Sequence, residues 1–210
     1  MKHIYIVGAG GFGREVFDWM METFDFIKEY SFAGFLDDNL QALDEFSIEA
    51  KVAGKISDYQ ASENDYLICA IGSPEVKKEV CQSLISKGGK FISLIHPSAK
   101  LGRGSSIGKG SVICPNVVIT CDVELGDFVM VNLSTTLGHD SKVGNWSTLS
   151  AHCDVTGFVE VGEMVFMGSG ARIIPRKTVG ASSIIGAGSV VIRDVPSKTS
   201  VFGNPARSIF

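Results

Sequence analysis

The chain has 210 residues, with 19 Lys and Arg against 23 Asp and Glu and a formal net charge of −4. No run of one sign interrupts it, so it carries neither a nucleic-acid footprint nor a polybasic membrane patch, and no stretch approaches a membrane span. The five cysteines are scattered and form no Cys-x-x-Cys pair, which reads as reduced thiols in a cytoplasmic protein.

Residues 1–96 follow α/β rules. A short buried strand over residues 4–7 is too brief an apolar run for a signal peptide. It leads into the glycine turn Gly8-Ala9-Gly10-Gly11-Phe12-Gly13. A helix is predicted over about 13–21, with Val16, Phe17 and Met20 on one face. A second strand, 31–36, ends at Asp37-Asp38-Asn39. A third, 66–71, is closed by Gly72-Ser73-Pro74, and that proline starts a helix over 75–87. Residues 91–95 complete the small parallel sheet. His96-Pro97 marks the boundary, because the residue before a proline favours extended backbone.

From Ile95 the grammar changes. Every sixth residue is aliphatic through Val191 (Leu101, Ile107, Ile113, Ile119, Leu125 and onwards), 17 positions of 17, although Ile, Leu, Val and Met make up only 57 of the 210 residues. Independent draws would give that run with a probability of roughly 10⁻¹⁰ in any one frame. Nine of the 17 are followed directly by Gly, and four places on comes a small or β-branched residue, with Lys177 the one exception. A hexapeptide period is the signature of a parallel β-helix: six residues make a strand and a corner, and three hexads make a triangular coil. The aliphatic residue points to the axis, the small one fits near the corner, and Gly is expected to allow the bend. Each coil buries its aliphatics only against its neighbours. Residues 97–210 form this domain, the repeats ending near Val195 and a tail following.

Two constellations carry chemistry. Gly8-x-Gly10-x-x-Gly13 between a strand and a helix has the form of a phosphate-binding turn, in which backbone N–H groups at a helix start meet an anion. Asp37 and Asp38 stand where a ribose or base would lie. With only about 95 residues before the β-helix, a full nicotinamide site has no room, so a nucleotide-linked substrate fits better than a redox cofactor. The competing reading is that the glycines serve helix–strand packing and the acids a polar turn. Within the repeats, His139 stands two places after the inward Leu137, near a corner, with Asp140 beside it. A carboxylate next to an imidazole suits a general base, and a solvated Gly-His-Asp turn is the alternative. His152 has the same two readings, but its spacing of 13 from His139 misses the 18 needed to stack on one corner. No third ligand falls at a stacking interval, so no metal site is expected. Cys114 and Cys121 have no histidine beside them in sequence, which argues against an acyl-cysteine route.

The run Val131-Asn132, Gly138-His139-Asp140, Val143-Gly144, Val161-Gly162, Met167-Gly168-Ser169-Gly170-Ala171 and Ile185-Gly186-Ala187-Gly188, closing with Gly203-Asn204-Pro205-Ala206-Arg207, resembles the sugar O-/N-acyltransferases of the sialic acid O-acetyltransferase type. That group includes enzymes acting on nucleotide-linked 4-amino sugars such as bacillosamine and perosamine precursors. The resemblance spans the whole chain. It implies a small Rossmann-like domain followed by a left-handed parallel β-helix, a homotrimer, and acetyl-CoA as co-substrate in the cleft between neighbouring β-helices. His139 matches the family's general base and Asp140 its acidic partner. Gly10, Gly11, Phe12, Asp37, Asp38 and Gly72 match positions that contact the nucleotide-sugar, and Thr148, Ser169 and Ala187 fall where related enzymes contact CoA. Thr148 departs from members with histidine there, and Ala187 from those with glycine. The expected reaction is N-acetylation of a nucleotide-linked amino-deoxy sugar. O-acetylation of a sialic acid or similar sugar is the alternative, and a non-catalytic β-helix scaffold a further one.

Overall fold

The computed structural model describes residues 2–24 and 30–209. Strands β1 (Lys2–Val7), β2 (Tyr30–Leu36), β3 (Val52–Gly54) and β4 (Asp65–Cys69) form one parallel sheet in the order β3-β2-β1-β4. The chain moves outward from β1 to β3 and then returns to the far side of β1. The carboxyl end of β1 is therefore a topological switch point, the place where open α/β sheets hold ligands. Helix α1 (Gly11–Phe24) starts there and buries Val16 and Met20, four residues apart, in the core, while the Phe17 ring lies 5.8 Å from that of Phe35. Helix α2 (Pro74–Ser86) is capped by the Ser73 hydroxyl, which accepts from the Val76 N–H, and has proline in its first turn.

The second region is a left-handed parallel β-helix built of two-residue strands from β5 (Leu94–Ile95) to Val190–Val191. Up to the last coil each strand pairs with the one 18 residues on, as in Leu137↔Val155 and Val131↔Leu149, and in the last coil the spacing falls to 16, as in Ile185↔Val201. Face 1 begins with β5, face 2 with Lys100–Leu101 and face 3 with Ser106–Ile107. The fourteen inward aliphatics from Ile113 to Val191 are each at most 4% exposed. Leu101, in the first coil, is 44% exposed because nothing stacks beneath it. The small residues four places on are buried too, among them Ser111, Ser147, Cys153 and Ser189.

Two local expectations change. The left-handed backbone at each corner falls three places after the inward residue, on Asn116, Asp122, Phe128, Ser134, Asp140, Trp146, His152 and their successors. The glycine one place after is required for a different reason: a Cβ on Gly144 would sit 2.6 Å from the Glu163 nitrogen and the Gly162 carbonyl carbon of the next coil. Close stacking of backbone, not the bend, demands glycine there. The predicted strand 91–95 also divides. Phe91 alone bridges Leu67 of the N-terminal sheet, whereas Leu94–Ile95 pairs with Val112–Ile113 and opens face 1. The fourth strand of the sheet is instead β3, three residues long, on the edge opposite β4.

The N-terminal sheet and helices lie against face 1 and the corner between faces 3 and 1. Val112, Met130 and Thr148, which point outward on face 1, are 4% exposed or less. Phe128 stacks on Trp146 at 4.2 Å and meets Phe91 edge-on at 5.1 Å. Lys77 of α2 reaches across to donate to the Ser147 carbonyl at 3.1 Å and the Thr148 hydroxyl at 2.9 Å. His96 bridges Glu22 of α1 and Ser98, each at 2.8 Å.

Candidate active site

His139 and Asp140 occupy the corner between faces 2 and 3. The hexad geometry gives Asp140 a φ of 59°, and this left-handed turn swings its carboxylate alongside the preceding ring. The His139 Nδ1 lies 2.7 Å from Asp140 Oδ2. A carboxylate can only accept, so in the neutral ring the proton sits on Nδ1 and the lone pair on Nε2. Both side chains are close to half exposed, 54% and 45%, so the pair stands open on the edge of the prism. The 18-residue register sets Cys121 below His139 and Gly157 above it, and the Asp140 N–H donates to the Cys121 carbonyl at 3.2 Å. The sequence distance between Cys121 and a histidine is thus misleading, since the two share one corner position in adjacent coils. Above, a Cβ on Gly157 would fall 2.7 Å from Nε2. The Phe158 ring stands perpendicular to the imidazole at 5.1 Å, and the Arg176 guanidinium lies 4.4 Å over that phenyl ring. His152 projects from a different corner, between faces 1 and 2, and is not part of this group.

The glycine turn sits at the switch point. Gly8, at φ +100°, donates to the Leu36 carbonyl at 2.8 Å, and a Cβ on Gly13 would run into the Gly8 carbonyl oxygen. These two glycines satisfy the packing reading. Gly10 and Gly72 do not: a Cβ on either would meet nothing within 4 Å, and on Gly11 only the Arg14 guanidinium at 3.8 Å. Their bare backbone faces open space beside the first amides of α1, with Phe12 partly buried next to it. Asp37 joins the turn directly, accepting from the Ala9 N–H at 2.7 Å and from Asn39 N–H at 2.9 Å. The exposed Asp38 accepts from the Ser57 N–H at 3.4 Å. Gly8 to Phe12, Asp37 with Asp38, and Gly72 follow the carboxyl ends of β1, β2 and β4, three adjacent strands of the sheet.

The three residues expected to meet CoA separate. Ser169 and Ala187 stack, exposed, 18 residues apart on the corner between faces 1 and 2. Thr148 is buried on face 1, its hydroxyl engaged by Lys77. Lys77 itself is 1% exposed. Burial pushes its ammonium down to about 8, an effect opposed by the nearby thiols of Cys69 and Cys81. Cys81 donates to Cys69, which holds the Cys69 thiol below its ordinary range against the opposing effect of burial. Nothing in the sequence flags Lys77, whose partners are 70 and 71 residues away. Gly157, by contrast, breaks the hexad pattern visibly. Among the described residues no group of three or more His, Cys, Asp or Glu could hold a metal ion.

The chain thus joins an α/β domain with a glycine-rich turn to a hexapeptide-repeat β-helix that carries a histidine–carboxylate pair on one edge. Comparison with known proteins adds the particulars. Residues 3–84 match the family of the PglD N-terminal domain. The GDP-perosamine N-acetyltransferase of Escherichia coli is 29% identical over 97% of this chain and 95% of its own length. An uncharacterised protein of Acanthamoeba polyphaga mimivirus is 26% identical, and the chain spans only 24% of that relative's length. Among solved structures, the acetyltransferase domain of PglB from Neisseria gonorrhoeae has a TM-score of 0.89 at 28% identity, with 100% of both chains covered. PerB from Caulobacter crescentus, in complex with CoA and GDP-perosamine, has a TM-score of 0.87 at 27% identity over 100% of this chain and 98% of that one.

Proposed function

We propose that this chain transfers the acetyl group of acetyl-CoA to the 4-amino group of a nucleotide-linked amino-deoxy sugar, with His139 as the general base. The observation that carries the chemistry is the 2.7 Å bond from His139 Nδ1 to Asp140. In the neutral ring this bond supports the tautomer that leaves Nε2 able to accept a proton, on a side chain that is half exposed. The sugar nitrogen attacks the thioester carbonyl carbon and its proton passes to Nε2. Asp140 stabilises the imidazolium that forms. The tetrahedral intermediate collapses, the C–S bond breaks, and the imidazolium returns the proton to the departing thiolate. The products are the N-acetyl sugar and CoA. The crevice of Gly10, Gly11, Phe12, Asp37, Asp38 and Gly72 holds the nucleotide part. The relatives that match over nearly the whole chain, one named for GDP-perosamine and one crystallised with it, support this substrate class.

The active assembly, on this reading, is a homotrimer working in the cytoplasm. The N-terminal sheet covers face 1, while the His139 edge joins faces 2 and 3, the one edge that face 1 does not touch. A nucleotide crevice on one side of the prism and a base on the opposite edge meet most simply across two copies of the chain. Ser169 and Ala187, on another edge, would then border the CoA cleft with a neighbour, and Thr148 would contribute to that wall through the backbone that Lys77 braces.

The test is CoA release from acetyl-CoA with UDP-, GDP- and dTDP-linked 4-amino-6-deoxy sugars, with product masses recorded. A gain of one acetyl group on one of them is expected. His139→Ala should lower kcat/KM by about 10²–10⁴-fold while leaving the melting temperature nearly unchanged, because the side chain is half exposed. Full turnover in a folded His139→Ala protein would remove His139 from the chemistry.

A further inference from the structure

Directly above His139 stands a glycine at a place where no other hexad has one. Glycine follows the inward aliphatic directly in nine of the seventeen hexads, but here Thr156 takes that place and glycine stands one position on, at Gly157. In no other of the seventeen hexads does glycine stand two places after the inward residue. The backbone of Gly157 is not left-handed, so conformation does not demand glycine there. A stacked coil does not demand it either. The three atoms nearest a Cβ at 157 all belong to the imidazole: Nε2 at 2.7 Å, Cε1 at 2.8 Å and Cδ2 at 3.2 Å. The next residue, Phe158, holds its phenyl ring at 90° to the imidazole, and Arg176 from the following coil braces the phenyl ring.

We propose that Gly157 and Phe158 are positioning residues for His139: the glycine leaves the volume the imidazole occupies, and the phenyl ring sets its plane. This rests on His139 being the general base. A half-exposed imidazole tied by one hydrogen bond to its sequence neighbour retains freedom to tilt, and the two residues above remove it. The base then stays aimed at the attacking nitrogen while Nδ1 stays on Asp140. Misplacement of a reacting group by about 1 Å costs on the order of 10²-fold in rate.

In Gly157→Ala the three atoms nearest the new methyl group are all in the His139 ring, so the imidazole is the group that must shift. The expected result is a kcat lower by roughly 10–100-fold, with KM for both substrates within about twofold and the melting temperature close to wild type. Nitrogen-15 spectra of the His139 ring should show a changed tautomer balance and a displaced titration midpoint. Phe158→Leu should lower kcat by a smaller factor, and Phe158→Tyr, which keeps the ring, should restore it. This second series reads out the proposal even where Gly157→Ala folds poorly. Wild-type kcat and unchanged ring signals in Gly157→Ala, beside an inactive His139→Asn, would overturn the positioning role and leave the base intact. An active His139→Asn would remove the base and this proposal together. A higher KM for acetyl-CoA with kcat and ring signals unchanged would assign Gly157 to thioester access instead, and also overturn it.

Discussion

Glycine serves opposite purposes in the two regions. In the β-helix, Gly138, Gly144, Gly162 and Gly168 stand where a side chain would strike the backbone of the next coil, so they report how closely the coils stack. At the carboxyl ends of β1 and β4, a Cβ on Gly10 or Gly72 would meet no protein atom within 4 Å, and on Gly11 only the Arg14 guanidinium at 3.8 Å. Packing therefore does not require glycine at these three positions, and the proposed nucleotide-sugar is what would. The two regions also differ in how stability is distributed. The solenoid spreads it over repeated rungs, whereas the junction depends on a few long-range contacts such as Lys77 on Ser147 and Thr148.

The largest expected stability effect tests that distribution. Leu149 is fully buried and stacked on both sides, between Val131 and Met167. Leu149→Ala should cost about 2–5 kcal/mol. Leu101 occupies the same repeat position in the first coil but is 44% exposed, and Leu101→Ala should cost under about 1 kcal/mol. Urea unfolding of both variants measures the difference. Equal losses would mean that the first coil is as supported as the interior ones.

That pair of leucines also shows how much the sequence discloses. Repeat position predicts burial, and sixteen of the seventeen aliphatics pack in the core, but at the end of a stack burial depends on what lies beneath. Within the α/β region, boundaries were less legible. Phe91-Ile92-Ser93-Leu94-Ile95 is an apolar run that reads equally as the last strand of one sheet or the first rung of the other. β3 is too short to show alternation. The His139–Asp140 pair was readable because the partners are adjacent in sequence. Gly157 is unusual in its hexad by sequence alone, but its closeness to the His139 ring is seen only in the fold. Lys77 stays hidden, because a charged residue on a helix normally faces water and its burial follows from how α2 docks.

Lys77 supplies the next effect, at the junction of the two regions. Its pKa in the fold, about 8, lies below the value of 10.5 for an unburied lysine. Between those pH values the unfolded chain binds one proton more than the native chain, so the Lys77 contribution to stability rises with pH across that window, by roughly 3 kcal/mol. Buried thiols act in the opposite sense. Burial pushes Cys153 up to about 12 and raises Cys114, and the hydrogen bond to Cys69, with burial, raises Cys81; above about pH 9 the unfolded thiols lose protons that the folded ones keep. The difference between wild type and Lys77→Met isolates the lysine. Relative to the variant, wild type should gain stability from pH 8 to pH 10. A flat difference in urea unfolding would mean that Lys77 keeps its proton in the folded protein.

The smallest effects come from the glycines themselves and bear most directly on the contrast between the regions. Gly144→Ala forces a methyl group against the backbone of the coil above, which has no rotamer to yield, and should cost about 1–3 kcal/mol. Turnover by the fraction that remains folded should change little, because Gly144 lies on the corner between faces 3 and 1, away from His139. Gly10→Ala meets no protein atom within 4 Å and should leave unfolding within about 0.5 kcal/mol of wild type. Its cost should instead fall on the nucleotide-sugar, whose KM should rise by about tenfold, equivalent to about 1.4 kcal/mol of binding, with kcat preserved. The sign pattern is the informative part: stability without binding for one glycine, binding without stability for the other. If Gly10→Ala destabilised the fold and left KM alone, the turn would be a packing element like the rest, and the crevice at the end of β1 would lose its assignment as the nucleotide site.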